Sequence, residues 1–321
     1  MIQVNERDAG PRRPPQLHFG SLDLPYHRVG VLPPAIGMMR GMTDAQCVAF
    51  LQWALPRVGL HWPGYRKVRA QVCKRVQARL RELGLPDVAK YQALLERSPS
   101  EWARLDAMCP ITISRFCRDR GVFDDLTKVV LPALAAAAPE RRQAALRCWC
   151  VGCACGEEVY SLRLIWDLQL AASYPRLDLE LLGTDADSQV LARARTGCYP
   201  RSSLREAPAD WLGRAFTTRD ASYCVRPEFR RRIAFELQNV RRSLPDGPFD
   251  LILCRNLVLT YFEPGLRQAV LTGLVERLQP RGALLVGVHE RLPPDFAGLE
   301  RWTGCRACYR RCDGDASYPS A

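Results

Sequence analysis

The sequence predicts an α/β fold, a doubly wound and mostly parallel sheet, with an N-terminal helical domain and a small inserted β subdomain. From Arg147 onward, apolar runs of strand length alternate with segments of helical periodicity, which is typical of parallel sheets covered by helices. Before Met108, apolar residues recur at helical spacing instead. A polar, turn-rich stretch at about residues 197–232 interrupts the alternation and predicts the inserted subdomain.

These patterns divide the chain into three parts. Residues 1–37 are rich in proline, glycine and arginine without periodicity, which predicts a flexible leader. Residues 38–110 predict the helical domain, and residues 111–321 predict the larger α/β domain that carries the insert.

In the helical domain, Thr43 and Asp44 offer an N-cap for a first helix. The next predicted helix has an apolar face and is strongly basic on its other faces, and two short helices follow it. The three segments are Tyr65 to Leu83, Asp87 to Leu95, and Ser100 to Met108.

The alternating region contains five predicted strands and three predicted helices. The strands are Arg147 to Val151, Leu177 to Thr184, Ile233 to Leu237, Phe249 to Cys254, and Ala283 to Val288. The helices are Glu157 to Leu170, Ser188 to Ala194, and Pro264 to Leu278. Within the insert, we expect a short hairpin at Thr217 to Tyr223.

The charge and hydropathy of the chain favour some partners over others. The formal net charge is +12, almost all of it from arginine, so the surface should attract polyanions, acidic proteins or acidic substrates. A solvated arginine-rich surface without a specific role explains the charge equally well.

No run of about 18 apolar residues is present, so no membrane insertion is expected. No apolar signal segment is present either, which predicts a cytoplasmic protein.

Seven of the 14 cysteines lie in two clusters, which predict no metal site. The length of the chain and the lack of a signal segment favour reduced thiols over a disulfide scaffold. The first cluster alternates across a strand and turn, so its thiols point in different directions. The second could supply three ligands, but no further C-x2-C pair or histidine nearby completes a tetrahedral set, so we expect buried or loop thiols. The clusters are Cys148, Cys150, Cys153 and Cys155, and then Cys305, Cys308 and Cys312.

A glycine-rich turn after the first predicted strand indicates a cofactor site. Gly152 and Gly156 allow close approach of the backbone to a ligand, and the following helix directs its N–H groups toward it. The spacing G-x-x-x-G differs from the dinucleotide pattern G-x-G-x-x-G. Glu157 and Glu158 would repel a pyrophosphate but suit a cationic ligand without phosphate, such as S-adenosylmethionine.

An acidic residue ends the second predicted strand. Asp185 is placed to accept hydrogen bonds from ribose hydroxyls. The alternative role for Asp185 is to cap the helix at Ser188 to Ala194, but Asp187 fits that cap better.

With these residues assembled, the chain resembles the CheR-type methyltransferases over nearly all of residues 43–292. Four blocks occur in family order. They are TISRFCRD at Thr112 to Asp119, GCACGEEVYS at Gly152 to Ser161, TDADSQVLARARTGCY at Thr184 to Tyr199, and FDLILCRNLVLTYFE at Phe249 to Glu263. They resemble the family patterns N-x-T-x-F-F-R, G-C-S-T-G-E-E-P-Y-S, T-D-I-D-x-x-x-L-x-x-A-R-x-G-x-Y and F-D-x-I-x-C-R-N-V-x-I-Y-F-D.

The resemblance implies a Rossmann-like, S-adenosylmethionine-dependent methyltransferase that methylates glutamate side chains of chemotaxis receptors. Its implied cofactor contacts are Gly152, Gly156, Arg118, Glu157, Asp185, Asn239 and Val240. Its implied catalytic residues, which face the methyl donor and the incoming carboxylate, are Arg118, Arg255, Asn256 and Tyr261. Because a glutamate carboxylate is already ionised at neutral pH, the reaction requires alignment and no general base.

The family's helical domain meets its receptor through basic residues. Here the candidates for contact with an acidic helical receptor or signalling protein are Lys67, Arg69, Lys74, Arg75 and Arg79, and a solvated face is the equal alternative. One departure from the family pattern is His289-Glu290-Arg291, which stands where many members have H-S-E-x-x.

Four functions remain open at this point. The first is a protein-glutamate O-methyltransferase, and the second is the same domain acting on another carboxylate acceptor. The third is a non-catalytic signalling module that binds S-adenosylmethionine. The fourth and weakest is nucleic-acid binding, which would show steeply salt-dependent DNA affinity.

Overall fold

The computed structural model describes residues 42–312, so the predicted leader at residues 1–37 lies outside the described range. The first helix, α1 (Asp44–Ala54), begins where the sequence predicts. Thr43 Oγ1 accepts a hydrogen bond from Gln46 N at 3.2 Å, and Gln46 Oε1 accepts one from Thr43 N at 2.9 Å. This reciprocal pair satisfies two of the N–H groups that a helix start leaves free.

Four more helices follow in the N-terminal part: α2 (Trp62–Tyr65), α3 (Arg69–Glu82), α4 (Val88–Arg97) and α5 (Pro99–Met108). The prediction of a single helix from Tyr65 to Leu83 was wrong at its start, because α2 ends at Tyr65 and α3 begins four residues later. The predicted apolar face of α3 is confirmed, since Val72, Val76 and Leu80 are buried.

Seven helices belong to the α/β part. They are α6 (Arg120–Asp125), α7 (Leu131–Ala137), α8 (Glu157–Ile165), α9 (Ser188–Thr196), α10 (Trp211–Ala215), α11 (Val258–Tyr261) and α12 (Pro264–Glu276). The cap predicted at Asp187 is confirmed, because its carboxylate accepts a hydrogen bond from Gln189 N at 2.8 Å. Helices α6 and α7 were not predicted, since their apolar residues run together without clear periodicity.

Within residues 42–312 there are ten strands: β1 (Ala145–Val151), β2 (Asp178–Asp185), β3 (Cys198–Pro200), β4 (Phe216–Arg219), β5 (Ser222–Val225), β6 (Ile233–Leu237), β7 (Phe249–Leu253), β8 (Leu278–Leu285), β9 (Leu299–Arg301) and β10 (Cys308–Arg311). Seven of them form one sheet in the order β6-β2-β1-β7-β8-β10-β9. The neighbours from β6 to β8 are parallel, and β10 is antiparallel to β8 and β9. The predicted doubly wound, mostly parallel sheet is confirmed.

The insert forms its own three-stranded sheet in the order β3-β5-β4. The expected hairpin is present as β4 and β5, and β3 adds a strand that the sequence did not indicate. Phe116, from the segment before α6, packs edge to face against Tyr199 of β3 and Phe216 of β4. The small sheet is therefore packed directly against the segment that contains the first family-like block.

The N-terminal helices and the α/β part pack through α2 and α11. The His61 N–H donates to Tyr261 O at 2.8 Å, and the Tyr65 and Tyr261 ring centroids lie 4.9 Å apart. A Cβ atom at Gly64 would lie 2.1 Å from the Thr260 carbonyl oxygen, so only glycine permits this approach.

The expectation of reduced thiols was wrong for four cysteines. Disulfides join Cys47 to Cys73 in the helical part and Cys198 to Cys224 across β3 and β5. The sequence could not reveal either pair, because the partners are distant in the chain and only the fold brings them together.

Along residues 42–312, no helix combines the length and the apolar composition that a membrane crossing requires.

Candidate active site

A cavity of about 260 Å³ lies at the carboxyl ends of β1, β2, β6 and β7. Strand β1 has β2 on one side and β7 on the other, so the cavity lies where the strand order reverses, the usual ligand position in such sheets. The end of β2 and the loops after the four strands contribute the ranges 152–154, 184–186, 238–241 and 255–257. Other walls come from residues 109–115 and from the helical part, through Leu60, Tyr65, Val68 and Asp106.

Eight of the ten predicted site residues line this cavity: Arg118, Gly152, Asp185, Asn239, Val240, Arg255, Asn256 and Tyr261. Gly156 and Glu157 are not among the lining residues, whereas Glu158 is. Successive residues of a helix point about 100° apart, so only one of the two glutamates can face the cavity. The sequence pattern alone does not decide which one.

The two glycines of the turn have different structural roles. Gly152 has a φ of 65°, and a Cβ there would lie 2.7 Å from Leu257 Cδ2 at the cavity wall. Gly156 has a φ of 88°, and a Cβ there would lie 3.0 Å from Ala194 Cβ and 3.1 Å from Phe235 Cζ. Gly152 therefore keeps the cavity open, while Gly156 allows the start of α8 to pack closely against α9 and β6.

Asp185 is fixed by the backbone around it. Its Oδ2 accepts a hydrogen bond from Ala154 N and its Oδ1 accepts one from Asp187 N, each at 3.0 Å. An ionised carboxylate has about four lone-pair positions, so it can still accept two ligand hydroxyls. Burial raises the pKa of Asp185 despite these hydrogen bonds.

The two glutamates at the start of α8 lie in different surroundings. Glu157 is 4% exposed, its Oε1 lies 3.5 Å from Ser203 Oγ, and its Oε2 is buried without a hydrogen-bond partner. Burial raises the pKa of Glu157. Glu158 instead faces the cavity and accepts a hydrogen bond from Arg255 Nη1 at 2.7 Å.

Arg255, just after β7, is held by the protein through both terminal nitrogens of its guanidinium. Besides Glu158, it donates from Nη2 to Asp119 Oδ2 at 2.7 Å and to Arg118 O at 2.8 Å. Its guanidinium also lies over the Phe123 ring, with Cζ 5.3 Å from the ring centroid. These contacts hold both terminal nitrogens of Arg255 on the protein, whereas its buried Nε has no hydrogen-bond partner.

Arg118 has a freer guanidinium. Its Nη1 donates to Ile113 O at 2.7 Å, and it forms no ion pair with any residue of the range 42–312. Arg118 lines the cavity together with Tyr261, whose pKa is raised by burial, so that hydroxyl stays protonated at neutral pH. The cavity thus holds a cation and a hydroxyl donor, both suited to a carboxylate.

The loop after β6 carries one residue that sequence reasoning missed. Gln238 lines the cavity next to Asn239 and Val240, and its Oε1 is buried without a hydrogen-bond partner. Asn239 Oδ1 accepts from Arg241 N at 3.1 Å and so shapes the turn. No local pattern distinguishes Gln238, but an unpartnered buried amide oxygen is costly unless a ligand donor reaches it.

These residues fit S-adenosylmethionine. Asp185 can accept from ribose hydroxyls, and Gln238 Oε1 is an acceptor for the amino group of an adenine. Glu158, whose carboxylate also pairs with Arg255, supplies an anion near an ammonium or sulfonium charge. Nothing in the turn around Gly152 resembles a phosphate cradle, because its helix begins with two acidic residues.

Comparison with known proteins agrees with this geometry. The family model described as "CheR methyltransferase, SAM binding domain" matches residues 112–307. The chemotaxis protein methyltransferase of Escherichia coli is 30% identical over 268 residues, which are 81% of this chain and 87% of that protein. The corresponding protein of Listeria monocytogenes is 30% identical over 192 residues, 59% of this chain and 70% of that one.

Two further similarities are more limited. An uncharacterized 104.1 kDa protein of Rhodobacter capsulatus is 30% identical over 261 residues, 80% of this chain, but the chain spans only 27% of that protein. The N-methyltransferase NodS of Bradyrhizobium japonicum is 15% identical, with 48% of this chain and 58% of that one covered and a TM-score of 0.27. That structural similarity is too low to support any conclusion.

The sheet order, the cavity at its reversal point and the matched model together define an S-adenosylmethionine-dependent methyltransferase with a Rossmann-like fold. Its cofactor is S-adenosyl-L-methionine. Within that class, the chain belongs to the CheR methyltransferase family.

Proposed function

We propose that the protein transfers a methyl group from S-adenosylmethionine to glutamate carboxylates of a chemotaxis-receptor-like signalling protein. The observation that carries the proposal is Arg118, a cavity cation without an acidic partner in the described range, beside the protonated hydroxyl of Tyr261. Relatives named chemotaxis protein methyltransferase support the choice of acceptor.

The proposed roles follow from the chemistry of methyl transfer. Bound S-adenosylmethionine supplies an electrophilic methyl group on a sulfonium. Asp185, Gln238, Asn239 and Val240 hold the nucleoside, with Gly152 leaving room for it and Glu158 balancing positive charge. Arg118 and Tyr261 orient the incoming carboxylate with Asn256, while Arg255 positions Arg118 and Glu158. Orientation of the nucleophile and exclusion of water supply the rate acceleration, and no residue has to remove a proton.

The proposed docking surface for an acidic helical partner differs from the one that the sequence indicated. Three of the five predicted cations are engaged within the protein: Arg69 with Asp44, Arg75 with the carbonyl groups of Met108 and Pro110, and Arg79 with Glu101. Lys67 and Lys74 are exposed and form no ion pair with residues 42–312. Arg66 and Arg81, which lie close to these two lysines in the chain, are also exposed.

The seven-residue spacing between Lys74 and Arg81 puts both on one side of α3, where they could face one partner helix. We therefore propose Lys67, Lys74, Arg66 and Arg81 as the receptor contacts.

The test is incubation of the full chain with methyl-labelled S-adenosylmethionine and receptor cytoplasmic domains encoded in the same genome. Base-labile methyl esters on glutamate, absent with an Arg118→Met variant, are expected. Labelling of a small carboxylate acceptor instead would assign the same chemistry to another substrate. Cofactor binding without turnover on any acceptor would indicate a non-catalytic module.

A further inference from the structure

Glu290, in the loop after β8, lies beside the cavity and has no role in the chemistry described above. It is only 7% exposed, and its carboxylate accepts three hydrogen bonds from the protein. Oε2 accepts from Gly287 N at 2.6 Å and from Asn256 N at 2.8 Å, and Oε1 accepts from Thr260 Oγ1 at 2.5 Å. One carboxylate therefore joins the loop after β8 to both ends of the segment from Asn256 to Thr260.

The backbone at Asn256 lies in a conformation that this contact stabilises. Its φ is 51°, in the left-handed region, which asparagine adopts more readily than most other residues with a Cβ but less readily than glycine. A hydrogen bond from the Asn256 N–H to an ionised acceptor offsets the cost of this conformation, since charge-assisted bonds are about twice as strong as neutral ones.

The loop after β8 is built to bring Glu290 this close. A Cβ at Gly287 would lie 2.7 Å from Asn256 Oδ1 and 2.8 Å from Glu290 Oε2, so a larger residue at this position would separate the two. The Glu290 N–H also donates to Gly287 O at 2.8 Å, which closes a tight turn. Backbone and side chain together direct the carboxylate at Asn256.

The segment that Glu290 holds forms one wall of the cavity. Asn256, Leu257, Thr260 and Tyr261 all line it, whereas Glu290 itself does not. A shift of this segment would move the Asn256 amide and the Tyr261 hydroxyl relative to the methyl donor, and a displacement of about 1 Å can lower a rate about 100-fold.

We propose that Glu290 is a positioning residue that holds Asn256 and Tyr261 in the arrangement required for methyl transfer; this inference rests on the proposed function. Its carboxylate acts through the Asn256 backbone and the Thr260 hydroxyl and does not touch the substrate.

The test compares Glu290→Gln with Glu101→Gln in the full chain. Glu101 is a matched control, because it is also 7% exposed and its carboxylate accepts from Arg79 and Tyr91, but it lies in the helical part away from the cavity lining. For Glu290→Gln we expect kcat to fall about 100-fold, with a Kd for S-adenosylhomocysteine within about twofold of wild type, since Asp185 and Gln238 are untouched. For Glu101→Gln we expect a lower Tm and an unchanged kcat per folded molecule.

Two outcomes would overturn the inference: an unchanged kcat in Glu290→Gln, or a kcat loss no larger than in Glu101→Gln at equal loss of Tm. If the wild type methylates no acceptor, the proposed function fails, and crystal structures of the two variants decide the inference separately. Departure of Asn256 from positive φ in Glu290→Gln supports it, and an unmoved segment refutes it.

Discussion

Arg255 and Glu158 form a buried ion pair, with Arg255 Nη1 2.7 Å from Glu158 Oε2 and only 4% of the arginine side chain exposed. The other terminal nitrogen of Arg255 binds Asp119, a residue with a φ of 62°, and the carbonyl of Arg118. One guanidinium thus joins the end of β7, the first turn of α8 and the segment that carries Arg118. This connection supports the proposal above, in which Arg255 positions Arg118 and Arg118 contacts the substrate.

Replacing Arg255 with methionine should destabilise the protein strongly. Glu158 and Asp119 would lose their cation, and removing one partner of a buried pair typically lowers the free energy of unfolding by about 3–5 kcal/mol. The exposed pair of Arg214 and Asp210 provides the control, because Arg214→Met should cost less than about 1 kcal/mol. Urea unfolding of both variants measures the difference, and equal small losses would contradict the buried-pair interpretation.

Cofactor affinity should fall at acidic pH because of Asp185. Burial raises its pKa in the free protein, whereas ribose hydroxyls donate to the ionised form and lower its pKa in the complex. By linkage, affinity increases as pH rises through the raised pKa of the free protein and reaches a plateau above it. The raised pKa has the opposite effect on the stability of the free protein. Because Asp185 ionises less readily in the fold than in the unfolded chain, the fold loses stability as pH rises above about 3.9, the pKa of an aspartate in the unfolded chain.

Calorimetric titration with S-adenosylhomocysteine between mildly acidic and neutral pH measures the affinity change. Asp185→Asn should bind weakly and lose most of this pH dependence. Glu157→Gln is the control, because Glu157 also has a raised pKa but does not line the cavity, so that variant should keep the dependence. A flat profile in the wild type would show that Asp185 does not bind the ligand.

Gly64→Ala should disrupt the packing between α2 and α11. The new Cβ would meet the Thr260 carbonyl oxygen at 2.1 Å, and backbone atoms cannot yield as a side chain can, so we expect a loss of about 1–3 kcal/mol. Gly213→Ala is the matched control, because that helical glycine has open space around it and the change should be neutral or slightly stabilising. Thermal unfolding compares the two, and equal Tm values would disprove the close approach.

Charge reversal at Lys67, before α3, and at Lys74, on α3, should weaken acceptor binding without affecting the cofactor. Lys67→Glu with Lys74→Glu places acidic groups on the proposed docking surface, and we expect the KM for a receptor domain to rise about tenfold at low salt and less at high salt. Lys90→Glu with Lys128→Glu makes the same change in net charge at the only other lysines of the chain. A similar KM in both double variants would indicate that only net charge matters.

Local patterns in the sequence determined much of this protein. The strand–helix alternation, the caps at Thr43 and Asp187, the glycine turn at Gly152 and the acid at Asp185 all depend on residues close together in the chain. Such features are readable because periodicity, capping and turn conformation are set by near neighbours. The short strands β9 and β10 were missed because they have no alternating apolar run and depend on pairing with β8.

Only the tertiary structure decided which residues are free to act. Arg69, Arg75 and Arg79 share the basic character of Lys67 and Lys74, yet each has a partner that lies 22 to 35 residues away along the chain. Glu157 and Glu158 are adjacent and identical in type, yet one is buried outside the cavity and the other faces it. A side chain's residue type fixes what it can bind, but long-range packing determines which partners reach it, and no local pattern records that.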